Sequence, residues 1–255
     1  MSNVEPRFGR LITAMVTPFN EERDLDLDRA QALATRLIEG GNDSLIINGT
    51  TGESPTVFYP QKIELFRAVV EAADGKVPVI ANVGDNCTAD TVNFAQDVAK
   101  LGVDGFMCVV PYYNKPPQEG MYQHFKTIAD AVELPIILYN IPGRCVVNME
   151  AETTLRLAND CENVIAVKEA SGKMDQIATI AAAAPEGFSV YSGDDSATYD
   201  IMRLGGAGVI STTGNVAPAR MKDLVTKCAE GKWDEAWAAH EALLPLMDGL
   251  FETSN

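Results

Sequence analysis

Eight short, almost wholly apolar runs alternate with longer amphipathic segments, and this alternation limits the fold more than any other feature of the chain. The runs are Leu11–Val16, Ser44–Ile47, Val77–Ala81, Gly105–Val110, Pro135–Tyr139, Val164–Lys168, Ser189–Tyr191 and Gly208–Ser211. Strands buried on both faces read this way, without polar alternation. Between them lie helical patterns: Asp26–Glu39, Gln61–Ala73, Thr91–Lys100, Gly120–Ala131, Ala151–Ala158, Met174–Ala184, Ser196–Leu204 and Pro218–Ala229. Glycine or proline punctuates most joins. Eight strand–helix units of about 30 residues match the repeat of a (β/α)8 TIM barrel, whereas a doubly wound sheet rarely needs eight evenly spaced units. The sequence therefore predicts an α/β protein with one barrel over residues 1–230 and a short C-terminal helical extension over 231–255. In that extension one helix is expected from Trp233 to about Leu250, with Trp233, Trp237, Leu243, Leu244 and Met247 on one side.

The 36 acidic and 20 basic side chains of the 255 residues leave a formal charge of −16. That balance argues against nucleic acid and anionic membranes as partners, since both need a basic face. An anionic substrate would require local positive charge at its site. No apolar run approaches the roughly 20 residues of a membrane span, and Met1–Pro6 lacks a signal-peptide plan. Five scattered cysteines without a CxxC pair predict a reduced, cytoplasmic protein. The two histidines, His124 and His240, have no partners at metal-ligand spacing, so no metal is expected.

Barrel chemistry sits at the C-terminal ends of the strands. The second run leads into Asn48-Gly49-Thr50-Thr51-Gly52-Glu53-Ser54, which is either a ligand-approaching backbone with two hydroxyls or a plain turn. The fourth leads into Pro111-Tyr112-Tyr113-Asn114-Lys115-Pro116, whose aromatics are packing anchors or hydroxyl donors. The fifth ends at Tyr139, followed by Arg144, a bidentate carboxylate ligand or a surface arginine. The sixth is the most informative. Of ten lysines, nine lie in polar helices or loops, and Lys168 ends an apolar strand. There it either snorkels to solvent or is a desolvated, neutral amine able to form a Schiff base. The seventh ends Ser192-Gly193-Asp194-Asp195, with Asp195 read as the cap of the next helix. Gly205-Gly206-Ala207-Gly208 reads as a turn rather than a phosphate cradle. One amine, several hydroxyls and one guanidinium are the equipment of a class I, Schiff-base lyase or synthase acting on 2-oxo acids.

The motifs GTTGES (49–54), PYYNKP (111–116), YNIPGR (139–144), VKEASG (167–172), SGDDS (192–196) and GVISTTGNV (208–216) resemble, in order and spacing, the dihydrodipicolinate synthase family of the pyruvate-dependent N-acetylneuraminate lyase superfamily. The likeness runs from about Gly9 to Asn255. It implies that Lys168 forms an imine with pyruvate, with no other cofactor, and that the derived enamine attacks L-aspartate 4-semialdehyde. The product would be the heterocycle leading to diaminopimelate and lysine. Tyr139 would be the general acid/base, with Thr51 and Tyr113 completing a hydroxyl relay and Tyr113 reaching a neighbouring subunit's site. Thr50, Thr51, Gly193 and the Ile210 backbone would hold pyruvate, and Arg144 the semialdehyde carboxylate. A homodimer or homotetramer is implied. Related aldolases for N-acetylneuraminate or 2-keto-3-deoxy sugar acids are the alternative, as is a catalytically impaired short homologue.

Three departures accompany the likeness. Cys145-Val146 stand where the family usually has Thr-Gly. A regulatory lysine site is matched by Ser54, Asn86, Asp90 and Tyr112 but not by Pro55, Tyr59 and Lys62, so weak or no feedback inhibition is expected. Family members also continue beyond the position of Asn255, which makes the chain a short form or a fragment.

Overall fold

The computed structural model describes residues 5–253. Met1–Val4, part of the segment used to argue against a signal peptide, and Ser254–Asn255, the end of the expected extension, lie outside the described residues. Eight parallel strands form a closed barrel in sequence order: β1 (Leu11–Ala14), β2 (Ser44–Ile47), β3 (Val79–Asn82), β4 (Gly105–Val109), β5 (Ile136–Asn140), β6 (Val164–Glu169), β7 (Ser189–Ser192) and β8 (Gly208–Ser211), with β8 pairing back onto β1. The (β/α)8 architecture expected from the alternation is the one observed.

The helices, in chain order, are α1 (Leu27–Glu39), α2 (Tyr59–Ala73), α3 (Thr88–Ala99), α4 (Gln118–Ala131), α5 (Pro142–Cys145), α6 (Ala151–Asp160), α7 (Met174–Ala183), α8 (Thr198–Arg203), α9 (Pro218–Ala229), α10 (Trp233–Glu241) and α11 (Leu244–Gly249). Strand side chains divide between two packed layers, because successive residues face opposite ways. Ile12, Ile46, Ile80, Met107, Ile137 and Ile210 fill the barrel interior with Tyr139 and Tyr191. Leu45, Ile47, Phe106, Cys108, Leu138 and Val167 face the helices. This parity decides the site. Lys168 lies in register with Tyr139, one strand over, and each is two residues from an interior residue, Ala166 and Ile137. Glu169 and Asn140 are paired on the opposite, outward faces.

Several boundaries differ from expectation for identifiable reasons. β3 and β5 begin after Pro78 and Pro135, which have no N–H for the ladder but still accept through their carbonyls from Leu45 and Phe106. The expected single helix from Trp233 is two, because Pro245 near the start of α11 cannot donate back to the preceding turn. Trp237 is 44% exposed rather than buried with Met247, although it contacts Tyr199. The short α5 was not anticipated, and it sits in the loop that bears Arg144. Gly205 is a turn residue at φ +100°, and a side chain at Gly208 would strike the Arg10 backbone.

Candidate active site

Lys168 is 5% exposed, at the C-terminal end of β6. Burial pulls its amine down from 10.5 to about 8; Arg144 adds to the fall, while Asp195 and Asp194 oppose it. Its Nζ stands 4.3 Å from the centroid of the Tyr139 ring. Tyr139 is itself buried, which pushes its phenol up to about 12 against the opposing effects of a Thr50 hydrogen bond and the Arg144 charge. It therefore carries its proton throughout the neutral range. Of the two readings of Lys168 the structure takes the desolvated one: the side chain stays inside the barrel mouth.

The backbone is tailored to this amine at Gly193. A Cβ there would lie 2.7 Å from Ala170 Cβ and 3.1 Å from Lys168 Cγ, so the strand end approaches Lys168 closely only as glycine. Ile210, in β8, is buried in the interior layer with Tyr139.

The loop after β2 is tight. Gly52 and Ser54 N–H both donate to the Gly49 carbonyl, and Thr17 Oγ1 donates to the Gly52 carbonyl at 2.6 Å. Asn48 and Asn82 clasp the ends of β2 and β3 reciprocally, each side-chain amide donating to the other's backbone carbonyl. The two threonines are not equivalent. Thr50 is the one hydrogen-bonded to Tyr139, whereas Thr51 Oγ1 lies 3.2 Å from Thr212 Oγ1. Adjacent residues of this turn thus project in different directions, Thr50 toward Tyr139 and Thr51 toward Thr212.

Asp195 is also redrawn. The capping side chain is Asp194, which accepts from Ser196 N at 3.0 Å. Asp195 is 2% exposed and accepts from Ser211 Oγ at 2.5 Å and from the N–H groups of Thr212 and Thr213 at 2.9 Å. It ties β7 to the end of β8 and so fixes Thr212, the partner of Thr51. The capping aspartate is thus one residue earlier than the sequence reading placed it.

Tyr113 is not brought to Lys168 within this chain. It is 86% exposed at φ +71°, on a loop flanked by Pro111 and Pro116. Tyr112 turns inward instead and donates to Asp85 Oδ2 at 3.1 Å. A cavity of about 500 Å³ opens between the barrel mouth and helices α2 and α3. Thr50, Tyr139 and Arg144 line it together with Ser54, Tyr59, Lys62, Asp90 and Tyr112; Lys168 is not in its wall, though its amine lies against the Tyr139 ring. Pro55 also lines it, while Asn86 does not and instead accepts through its carbonyl from Asn114. Burial lowers the Lys62 amine, with Asp85 opposing. Among the described residues, no cluster of three or more His, Cys, Asp or Glu side chains suits a metal ion, and no helix is long and apolar enough to cross a membrane.

A closed (β/α)8 barrel with a desolvated lysine and a buried tyrosine at adjacent strand ends defines a lyase of the class I aldolase type. The chain belongs to the Dihydrodipicolinate synthetase family, whose profile matches residues 7–255. It is 51% identical over 247 residues to 4-hydroxy-tetrahydrodipicolinate synthase 1 of Halalkalibacterium halodurans, covering 97% of this chain and 83% of that protein. Its structure is similar to the crystal structure of the Cyanidioschyzon merolae dihydrodipicolinate synthase with lysine bound, at a TM-score of 0.97 and 44% identity over 98% of this chain and 86% of that one. It is also similar to a structure described as a monomeric dihydrodipicolinate synthase variant, at a TM-score of 0.94 and 42% identity over 96% of this chain and 83% of that one.

Proposed function

We propose that the protein condenses pyruvate with L-aspartate 4-semialdehyde to form 4-hydroxy-tetrahydrodipicolinate, a step of diaminopimelate and lysine biosynthesis. The desolvated Lys168 amine beneath Tyr139 is the observation that carries this reading, together with close relatives named for the reaction. The neutral amine attacks the C2 carbonyl of pyruvate, and loss of water from the adduct leaves an imine. Loss of a methyl proton gives the enamine, whose carbon bonds to the aldehyde. The amino group of the second substrate then displaces Lys168 as the ring closes. Tyr139 supplies and recovers protons in these steps, through Thr50. Thr51, Gly193 and the Ile210 backbone frame the pyruvate carboxylate, and Arg144 takes that of the semialdehyde.

The exposed, left-handed Tyr113 supports a homodimer or homotetramer in which it completes a neighbour's relay. The barrel is proposed to run over residues 1–230 with the helical segment after it. Four of five cysteines are buried and all five are free, which supports a reducing, cytoplasmic setting. A regulatory lysine site at Ser54, Asp90 and Tyr112 is weakened by Lys62, whose cation repels the ligand's ammonium groups.

Treatment with pyruvate and borohydride, followed by mapping of the added mass, tests the core assignment. Labelling at Lys168 is expected, and labelling elsewhere overturns it. Turnover of aspartate semialdehyde in preference to N-acetylneuraminate or 2-keto-3-deoxy sugar acids is expected; the reverse preference assigns a related aldolase.

A further inference from the structure

A buried polar cluster on the outward faces of β5 and β6 takes no part in the chemistry above. Glu169 is 1% exposed, and its hydrogen-bond partners are neutral donors. Asn140 Nδ2 donates to its two oxygens at 3.0 and 3.2 Å, Ser171 N at 2.9 Å and Gln176 Nε2 at 3.1 Å. Because a carboxylate only accepts, Glu169 dictates which way both amides face. With Nδ2 so directed, Asn140 Oδ1 accepts from Met149 N at 3.0 Å, and Nδ2 also reaches Met149 O at 3.3 Å. Gln176 Nε2 donates to the same carbonyl at 3.1 Å. The side chain of one strand end thus pairs with the backbone of a residue nine positions on and closes the intervening loop.

That loop carries Arg144. It also carries Val146 at φ +69°, a β-branched residue in a conformation that disfavours it, and 66% exposed. Such a conformation persists only when its surroundings impose it. Neighbouring contacts explain little of this, since Val146 stands in solvent; its backbone N–H donates to Pro142 O and the far end of the loop is pinned at Met149.

We propose that Glu169 is a positioning residue for the second substrate: through Asn140 and Gln176 it fixes the loop from Ile141 to Met149, and hence the place of Arg144 at the mouth. This rests on the reading of Arg144 as the ligand of the semialdehyde carboxylate. Lys168 and Tyr139 face the other way, into the barrel, so the pyruvate half of the reaction does not depend on the cluster.

Glu169→Gln keeps the shape but turns an N–H toward donors. Asn140 cannot rotate to accommodate it while Met149 N holds its oxygen. The KM for aspartate semialdehyde is expected to rise about tenfold or more, since a buried donor left unpaired and a displaced binding group each carry that order of penalty. The KM for pyruvate and the rate of borohydride trapping on Lys168 should stay within about threefold. Gln176→Met, a milder change that leaves Glu169 in place, should raise the semialdehyde KM by about threefold and serves if Glu169→Gln does not fold. Arg144→Ala is measured alongside. On that background Glu169→Gln should add almost nothing to the semialdehyde KM, because the two act through one group. If Arg144→Ala raises that KM and the cluster variants do not, or if they impair both half-reactions equally, the positioning role is overturned and the Arg144 reading stands. If Arg144→Ala itself has no effect on that KM, both fall.

Discussion

Lys168→Met should make the protein more stable, and by an amount that depends on pH. The lysine is buried, and its amine is drawn from 10.5 to about 8 chiefly by burial. At 1.36 kcal/mol per pH unit, holding the ammonium form in the folded state costs about 3 kcal/mol. The sign follows from proton counting. Between about pH 8 and 10.5 the unfolded chain binds more protons at this group than the folded one, so stability rises with pH across that window. Below about 8 the cost is present in full. Methionine keeps much of the side-chain volume and removes the charge. At pH 7 the variant is expected to gain about 3 kcal/mol, which for a chain of this size corresponds to a rise in Tm of roughly 5–12 °C. At pH 10 the advantage should shrink to about 1 kcal/mol or less. Denaturant unfolding of both proteins at the two pH values, at matched protein concentration, measures the difference. A variant no more stable than the parent at pH 7, or an equal gain at both pH values, would refute the view of Lys168 as a desolvated amine.

The same amine predicts that pyruvate-dependent borohydride trapping accelerates about tenfold per pH unit up to about 8 and then levels; acceleration continuing past pH 10 would mark an ordinary lysine. Tyr139→Phe should slow turnover by about 10²–10⁴-fold while leaving the fold intact by circular dichroism, as removal of a general acid/base does. Val146→Gly should raise stability by about 1 kcal/mol in denaturant titrations, since glycine relieves the left-handed conformation and the exposed valine loses little packing. Added L-lysine should inhibit weakly or not at all, because Lys62 lines the cavity proposed above as the regulatory site; a sub-millimolar inhibition constant at neutral pH would contradict this.

The barrel was legible because its signal is redundant. Eight apolar runs need only be recognised as strands for closure to follow, and a boundary error of two residues at Pro78 does not change the count. The burial of Lys168 at a strand end was legible because a lysine closing an apolar run is rare in this chain. What escaped were side-chain directions. Glu169 and Asn140 end the same strands as Lys168 and Tyr139, yet period-2 alternation sends them to the opposite layer, where they become a polar cluster among apolar neighbours. Knowing that Lys168 faces inward is enough to place Glu169 outward, so this much was recoverable from the strand pattern. The partners were not. Asn148, Met149 and Gln176 reach the cluster from a loop and a helix whose approach depends on the whole barrel. The directions of Thr50 and Thr51 were closed to the sequence for a related reason: in a tight turn neither strand nor helix periodicity says which hydroxyl faces Tyr139.

The charge of −16 and the chemistry of the site act over different distances. At physiological ionic strength charges separated by more than about 8 Å are largely screened, so the acidic surface acts weakly on an anion approaching through solvent. Inside the mouth the balance is local. Arg144 and Lys168 face Asp194 and Asp195 there, and Asp195 is already engaged by three donors from the start and end of one turn. Those donors, one hydroxyl and two backbone N–H groups, stabilise the Asp195 carboxylate, and among the described residues no ion pair joins it to Lys168; Asp195 and Asp194 favour the charged amine only through the field, and burial outweighs them. Burying an acid near Lys168 therefore does not restore its amine to the ordinary value. The same three donors that hold the Asp195 carboxylate in place also tie it to the Ser211–Thr213 turn rather than to the amine.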